Sequence, residues 1–171
     1  ETYFLKNIKQ QIDNILLSIK KFSSNKIFIY PCSDPGYDVI IKSIKNFCKK
    51  NKDSHFYKNL KNELFYSLYS HSDLIIGNSS SGILESGYLK IPAINVGDRQ
   101  KGRCQTKNII NSNFNKKNLV SNIKYCINNN KFKSKVKKFK SFYFDNNSIR
   151  KCYDIITKID MRKKKIIINK Y

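Results

Sequence analysis

The 171-residue chain has only six glycines, three prolines and one methionine, and its apolar runs are short. So few glycines and prolines exclude a collagenous architecture, and no repeat is visible. Runs such as Leu74–Ile76 and Ile166–Ile168 fall far below the ~20 apolar residues of a bilayer-spanning helix, so no membrane partner is expected. The five cysteines (Cys32, Cys48, Cys104, Cys126 and Cys152) are odd in number and widely spaced, with no Cys-x-x-Cys pair. Neither a disulfide framework nor a zinc site is implied, and reduced thiols in a cytoplasm are expected. His55 and His71 have no partners at ligand spacing, so no metal is expected. Gly-x-Gly-x-x-Gly and Gly-x-x-x-x-Gly-Lys-Ser/Thr are both missing, which argues against a dinucleotide or P-loop site and leaves no cofactor expected.

Acidic residues are scarce as well: 12 against 34 lysines and arginines, for a formal charge of +22. Such a balance is a footprint of nucleic-acid binding when the bases cluster. Only four of the bases are arginine, the planar group that reads phosphate and base edges bidentately. The lysines are spread along the whole chain among abundant Asn and Ile, and read as solvated faces rather than a nucleic-acid surface. Arg99 and Arg103, two of the four arginines, lie within five residues of each other, and this cluster is more informative than the total.

Strands and helices alternate. Apolar residues at Phe4, Ile8, Ile12, Ile15, Leu16 and Ile19 have helical spacing. Lys26–Pro31 reads as a buried strand ended by Ser33-Asp34-Pro35-Gly36. A helix over 37–50, a weak strand over 54–57 and a helix over 62–71 follow. Asp73–Ile76 is a strand running into Gly77-Asn78-Ser79-Ser80-Ser81-Gly82 and a helix through Ile83, Leu84 and Leu89. Ile91–Val96 and Asn108–Ile110 read as further strands, with helices near 119–127 and 148–159. This alternation implies βαβ units: a Rossmann-like, doubly wound parallel sheet with helices on both faces. One domain over 1–160 and a basic tail over 161–171 are expected. The chain starts at Glu1 on a helix, so a first central strand, and the rest of a larger protein, are expected upstream.

Two segments carry chemistry. Gly77–Glu85 joins a strand to a helix N-terminus, where unpaired backbone N–H groups and the helix dipole favour an anion. Asn78, Ser79, Ser80 and Ser81 add polar groups, and Gly82 permits close approach of a phosphate. One serine would serve as a helix cap, whereas three suggest a diphosphate. Glu85, on the first turns of that helix, is placed to accept hydrogen bonds from ribose hydroxyls, or to act as a solvated partner of the dipole. Val96–Arg103 leaves the carboxyl end of the next strand, the edge where open α/β sheets bind ligands. Its Arg99 and Arg103 are placed to clamp a diphosphate from the other side.

The run Ser72–Glu85, followed by Ile91-Pro92 and by Asn95–Arg103 (Asn-Val-Gly-Asp-Arg-Gln-Lys-Gly-Arg), resembles the UDP-N-acetylglucosamine 2-epimerases. Within them it is similar to the hydrolysing branch of sialic and legionaminic acid biosynthesis, which makes N-acetylmannosamine-type sugars. The resemblance implies a GT-B fold, two Rossmann-like halves with substrate in the cleft between them, this chain being the carboxyl-terminal, UDP-binding half. It implies that Ser79 and Ser80 hold the diphosphate, Glu85 the ribose and Arg99 a phosphate, with the backbone near Asn59 and Leu60 meeting the uracil. Cys32 stands where the family has an asparagine lining the site, and Phe144–Asn147 replaces a glycine-bearing turn. Family chemistry is anti elimination of UDP to a 2-acetamidoglucal and then water addition, by carboxylates of the other half and a histidine just before Glu1. No catalytic residue is therefore expected in this chain, which should bind UDP without turning over. The implied partner is UDP or UDP-GlcNAc (or a 2,4-diacetamido relative), in a homo-oligomer, dimer or tetramer. Two rival readings are a GT-B glycosyltransferase donor domain, which the Gly-Asp-Arg-Gln-Lys-Gly-Arg segment fits poorly, and a basic nucleic-acid-binding module.

Overall fold

The computed structural model of the chain describes residues 7–141, 143 and 147–159. Seven helices and five strands occur among the described residues, alternating as far as β4: α1 (Ile8–Ile19), β1 (Lys26–Ile29), α2 (Tyr37–Lys50), β2 (Ser54–Tyr57), α3 (Asn62–Ser70), β3 (Ile75–Gly77), α4 (Ser81–Tyr88), β4 (Ala93–Val96), β5 (Ile109–Ser112), α5 (Lys116–Asn128), α6 (Asn130–Lys138) and α7 (Ser148–Lys158). All strand pairs are parallel; a helix links β1 to β2 and β3 to β4, whereas a loop over 97–108 links β4 to β5. The expected α/β class is therefore present. Its strands fall into two hydrogen-bonded groups, β1-β2 and β3-β4-β5. Phe4, Phe144–Asp145–Asn146 and the basic tail lie outside the described residues.

Helix α1 joins the two groups because its apolar residues occupy more than one face. Ile12 and Leu16 pack with Ile44 of α2 against Phe28 and Phe56. Ile15 packs instead on the cluster of Ile94, Val96, Leu119, Ile123 and Cys126, between β4 and α5, and Ile19 packs on both. Four successive residues of β4 are buried, as in a strand covered on both faces. Burial pushes the Cys126 thiol up to about 12, so it is inert, and all five cysteines are free.

Helix α6 has no counterpart in the sequence reading. Five of its nine residues are lysine, and its buried side chains are only Phe132 and Val136, one turn apart. The Asn129 side chain caps it by accepting from the Phe132 amide at 2.8 Å.

The start of the β1-β2 ladder carries a partly buried ion pair, Lys26 Nζ to Asp53 Oδ2 at 2.6 Å. The Lys26 hydrogen bond, more than any other influence, holds the Asp53 carboxyl below 3.8. A carboxylate with a lowered folded pKa contributes stability above its unfolded value and loses it as pH falls through the folded one. The stability difference between the protein and Asp53→Asn is accordingly expected at neutral pH and should shrink as acid protonates the carboxyl. Urea titrations at several pH values would reveal a pH-independent gap if the pair were unimportant.

Candidate functional site

The carboxyl ends of β1, β3 and β4 open into loops that meet at one edge. The β3–α4 loop (78–80) is central. Helix α4 starts at Ser81 with Ser80 as its N-cap residue, and the Ser80 side chain makes no capping bond. The Ser79 hydroxyl takes that place from outside the helix, accepting from the Ser81 amide at 3.3 Å. The Gly82 amide donates to Ser79 O at 3.1 Å, and the Ile83 and Leu84 amides to Ser80 O at 2.9 and 2.8 Å. The first-turn N–H groups are thus held by local acceptors, with which an incoming anion must compete. The hydroxyls of Ser80 and Ser81 have no partner among the described residues. A Cβ built on Gly82 meets no atom within 4 Å, so the space above the first turn is open.

The β4–β5 loop closes over this turn. It leaves β4 through Gly97, whose φ of +81° suits glycine and whose added Cβ would lie 2.8 Å from the Phe114 ring. Two side chains of the loop converge on one carbonyl: Arg99 Nη1 donates to Asn78 O at 3.2 Å and Gln100 Nε2 to the same oxygen at 2.8 Å. The other guanidinium nitrogen of Arg99 is 3.8 Å from Asp34 Oδ2 in the β1–α2 loop. Arg99 thereby spans both sheets. On the return to β5, Gln105 and Asn111 exchange amide bonds of 3.2 and 2.7 Å, and Asn111 also accepts from Asn95 at 2.8 Å. The Tyr143 hydroxyl donates to Cys104 O at 2.5 Å.

Of the residues singled out from sequence, Asn78, Ser79, Ser80, Ser81, Gly82, Glu85 and Arg99 are brought to one place. Glu85 sits one turn into α4, and its Oε2 is buried with no hydrogen-bond donor. Such an oxygen is rare in a folded protein and costly unless something donates to it. Arg103 is exposed, its amide bonds Gln100 O at 3.2 Å, and its guanidinium makes no hydrogen bond to the serine loop among the described residues. Cys32 is exposed in the β1–α2 loop, two residues from Asp34. Asn59 and Leu60 lie past the carboxyl end of β2, without hydrogen bonds to the other loops. Two residues outside the sequence candidates touch the serine loop. Gln100 is 2% exposed, and Tyr69 is 4% exposed with its hydroxyl donating to Ser81 O at 3.0 Å. Gln100 had a signal, lying between the motif arginines; Tyr69 had none, since an aromatic on an amphipathic helix reads as core. His71 is the C-cap residue of α3, its Nδ1 2.7 Å from Ser67 O.

No cluster of three or more His, Cys, Asp or Glu side chains able to hold a metal exists among the described residues. No helix among them is long and apolar enough to cross a membrane. Two surface cavities of about 540 and 330 Å³ are lined by other residues. The edge presents serine hydroxyls and a guanidinium on one side, with a carboxylate one turn into α4.

Known proteins share the family and the fold of this chain. Residues 3–157 match the family described as UDP-N-acetylglucosamine 2-epimerase. The polysialic acid biosynthesis protein P7 of Escherichia coli is 34% identical over 158 residues, 91% of this chain and 40% of that protein. The GDP/UDP-N,N'-diacetylbacillosamine 2-epimerase (hydrolyzing) of Campylobacter jejuni is 38% identical over 116 residues, 67% of this chain and 30% of that protein. The chain therefore spans well under half the length of these relatives. The crystal structure of UDP-GlcNAc 2-epimerase from Neisseria meningitidis bound to UDP-GlcNAc superposes with a TM-score of 0.64 at 17% identity, over 89% of this chain and 41% of that one. At that identity the likeness establishes the fold.

Proposed function

The chain belongs to the UDP-N-acetylglucosamine 2-epimerase family, and from that premise we propose that it is the UDP-binding half of a hydrolysing 2-epimerase. The observation that carries the reading is the convergence on the β3–α4 loop. Two unpartnered serine hydroxyls stand at the start of α4, and the Arg99 guanidinium is bonded at 3.2 Å to the carbonyl of the loop's first residue. Hydroxyl donors with a fixed cation suit a diphosphate, whose charge is spread over several acceptor oxygens. One turn on, the donor-less Glu85 oxygen suits the vicinal hydroxyls of a ribose. Two relatives with hydrolysing or polysialic-acid names favour the hydrolysing branch and a UDP-GlcNAc or diacetamido sugar.

In this reading the complete enzyme eliminates UDP from the nucleotide sugar, giving a 2-acetamidoglucal, and adds water to release the free N-acetylmannosamine-type sugar. This half holds the leaving UDP. It contributes no acid or base, since proton transfer at the sugar needs a group within hydrogen-bond reach of it and the site presents phosphate binders. The expected result is that the 171-residue chain binds UDP in calorimetry yet releases no UDP from UDP-GlcNAc by phosphorus NMR. With the rest of the enzyme present, free UDP and N-acetylmannosamine should appear together. A folded chain that ignores UDP overturns the reading, and a mixture of UDP-sugars without free UDP moves the enzyme to the non-hydrolysing branch.

A further inference from the structure

Both ends of the serine loop are held from beneath by buried side chains that a ligand above the loop would not meet. At one end, Gln100 donates to Asn78 O at 2.8 Å while 2% exposed. At the other, Tyr69 donates to Ser81 O at 3.0 Å while 4% exposed. Between the two anchors, no side chain from the rest of the fold hydrogen-bonds Ser79 or Ser80 among the described residues. Neither anchor is needed to satisfy its acceptor. Asn78 O also accepts from Arg99, and Ser81 O lies inside α4, where the Glu85 amide is its ordinary helical partner. Gln100 is held at a cost as well, because its Oε1 is buried with no donor. Packing alone would be served better there by an apolar side chain of the same length.

We propose that Gln100 and Tyr69 are positioning residues, a two-point clamp that fixes the β3–α4 loop so that its serine hydroxyls and the Arg99 guanidinium face the same phosphate. This deepens the UDP-binding reading and rests on it. Gln100 is the stronger arm because it shares its acceptor with Arg99, so loop and guanidinium are set by one carbonyl. Preorganisation of this kind raises affinity by removing the ordering cost from the binding step. Burial keeps the Tyr69 arm a donor throughout the usual pH range, its phenol being pushed up to about 12 chiefly by desolvation.

The test compares UDP with uridine in calorimetry on the 171-residue chain, since only UDP uses the loop's phosphate contacts. Gln100→Met, which keeps length and removes the donor, should raise the Kd for UDP about tenfold and leave that for uridine within twofold. Tyr69→Phe, which keeps the packing and folds safely, should raise the Kd for UDP about threefold with uridine again unchanged. In an Arg99→Ala background the cost of Gln100→Met should shrink to less than twofold, because the group it places is gone. UDP and uridine weakening in parallel, no change in either, or full additivity with Arg99→Ala would overturn the clamp. A wild-type chain that binds no UDP fails at the earlier step, and so sinks the UDP reading rather than the clamp alone.

Discussion

Replacing Arg99 with alanine should raise the Kd for UDP by roughly 10- to 100-fold, equivalent to ~1.5–3 kcal/mol for a charge-assisted hydrogen bond, with fold stability almost unchanged. The two halves of this expectation have separate physical causes. Arg99 is a third exposed, its carboxylate partner Asp34 half exposed, and their 3.8 Å separation is at the limit of an ion pair. Pairs of this kind contribute ~0–1 kcal/mol to stability. Asn78 O keeps the shorter Gln100 bond when the guanidinium leaves, so no buried acceptor is orphaned. A phosphate has no such substitute, because Arg99 is the one arginine whose guanidinium is bonded to the loop among the described residues. The measurement is calorimetry with UDP and uridine at two salt concentrations, with thermal melting as the control. A chain of formal charge +22 attracts any polyanion. If that diffuse field were the source of binding, Arg99→Ala would hardly differ from wild type, and the affinity of both would collapse together as salt screens it.

Glu85→Met is expected to move stability and binding in opposite directions. The buried Oε2 has no donor in the unliganded chain, and an unsatisfied buried polar group costs ~1–3 kcal/mol, more when charged. Methionine has similar length and no polar atom, so the variant should melt a few degrees higher without ligand, at ~2–4 °C per kcal/mol for a chain of this size. It should lose UDP affinity by about tenfold or more, because the ribose hydroxyls lose their acceptor. The selective readout is 2',3'-dideoxy-UDP: wild type should discriminate strongly against it, and Glu85→Met should bind both nucleotides alike. A variant that melts lower and still prefers UDP would make Glu85 a structural carboxylate and sink its assignment to ribose.

Much of the fold was legible because local pattern and tertiary packing agree. The apolar spacing of Ile40, Ile41, Ile44 and Phe47 predicts the helix that is α2, and the turn after Pro31 precedes it as expected. The strand–loop–helix over 73–89 was legible for the same reason, an apolar run followed by glycine, asparagine and three serines. The limits of β5 were not. The strand is Ile109–Ser112, and Asn108, read as its first residue, is a fully buried node instead, its amide donating to Ser86 Oγ and Ile91 O at 2.8 and 2.7 Å. Nor was α6, since one turn of apolar spacing among five lysines falls below what periodicity can detect.

The sequence by itself determined the parallel α/β class and the family, and it supplied the two segments proposed to bear the site, because each depends on residues within about one turn or one loop of each other. Tertiary structure alone separated Arg99, bonded to the serine loop, from Arg103, which makes no such bond among the described residues. It alone brought Gln100 across 22 positions of chain to Asn78, set Tyr69 beneath Ser81, and left a Glu85 oxygen buried without a protein donor. The physical reason is range. Helical and strand periods are written in neighbouring residues, whereas a hydrogen bond between loops depends on where two crossovers end, which no local spacing records.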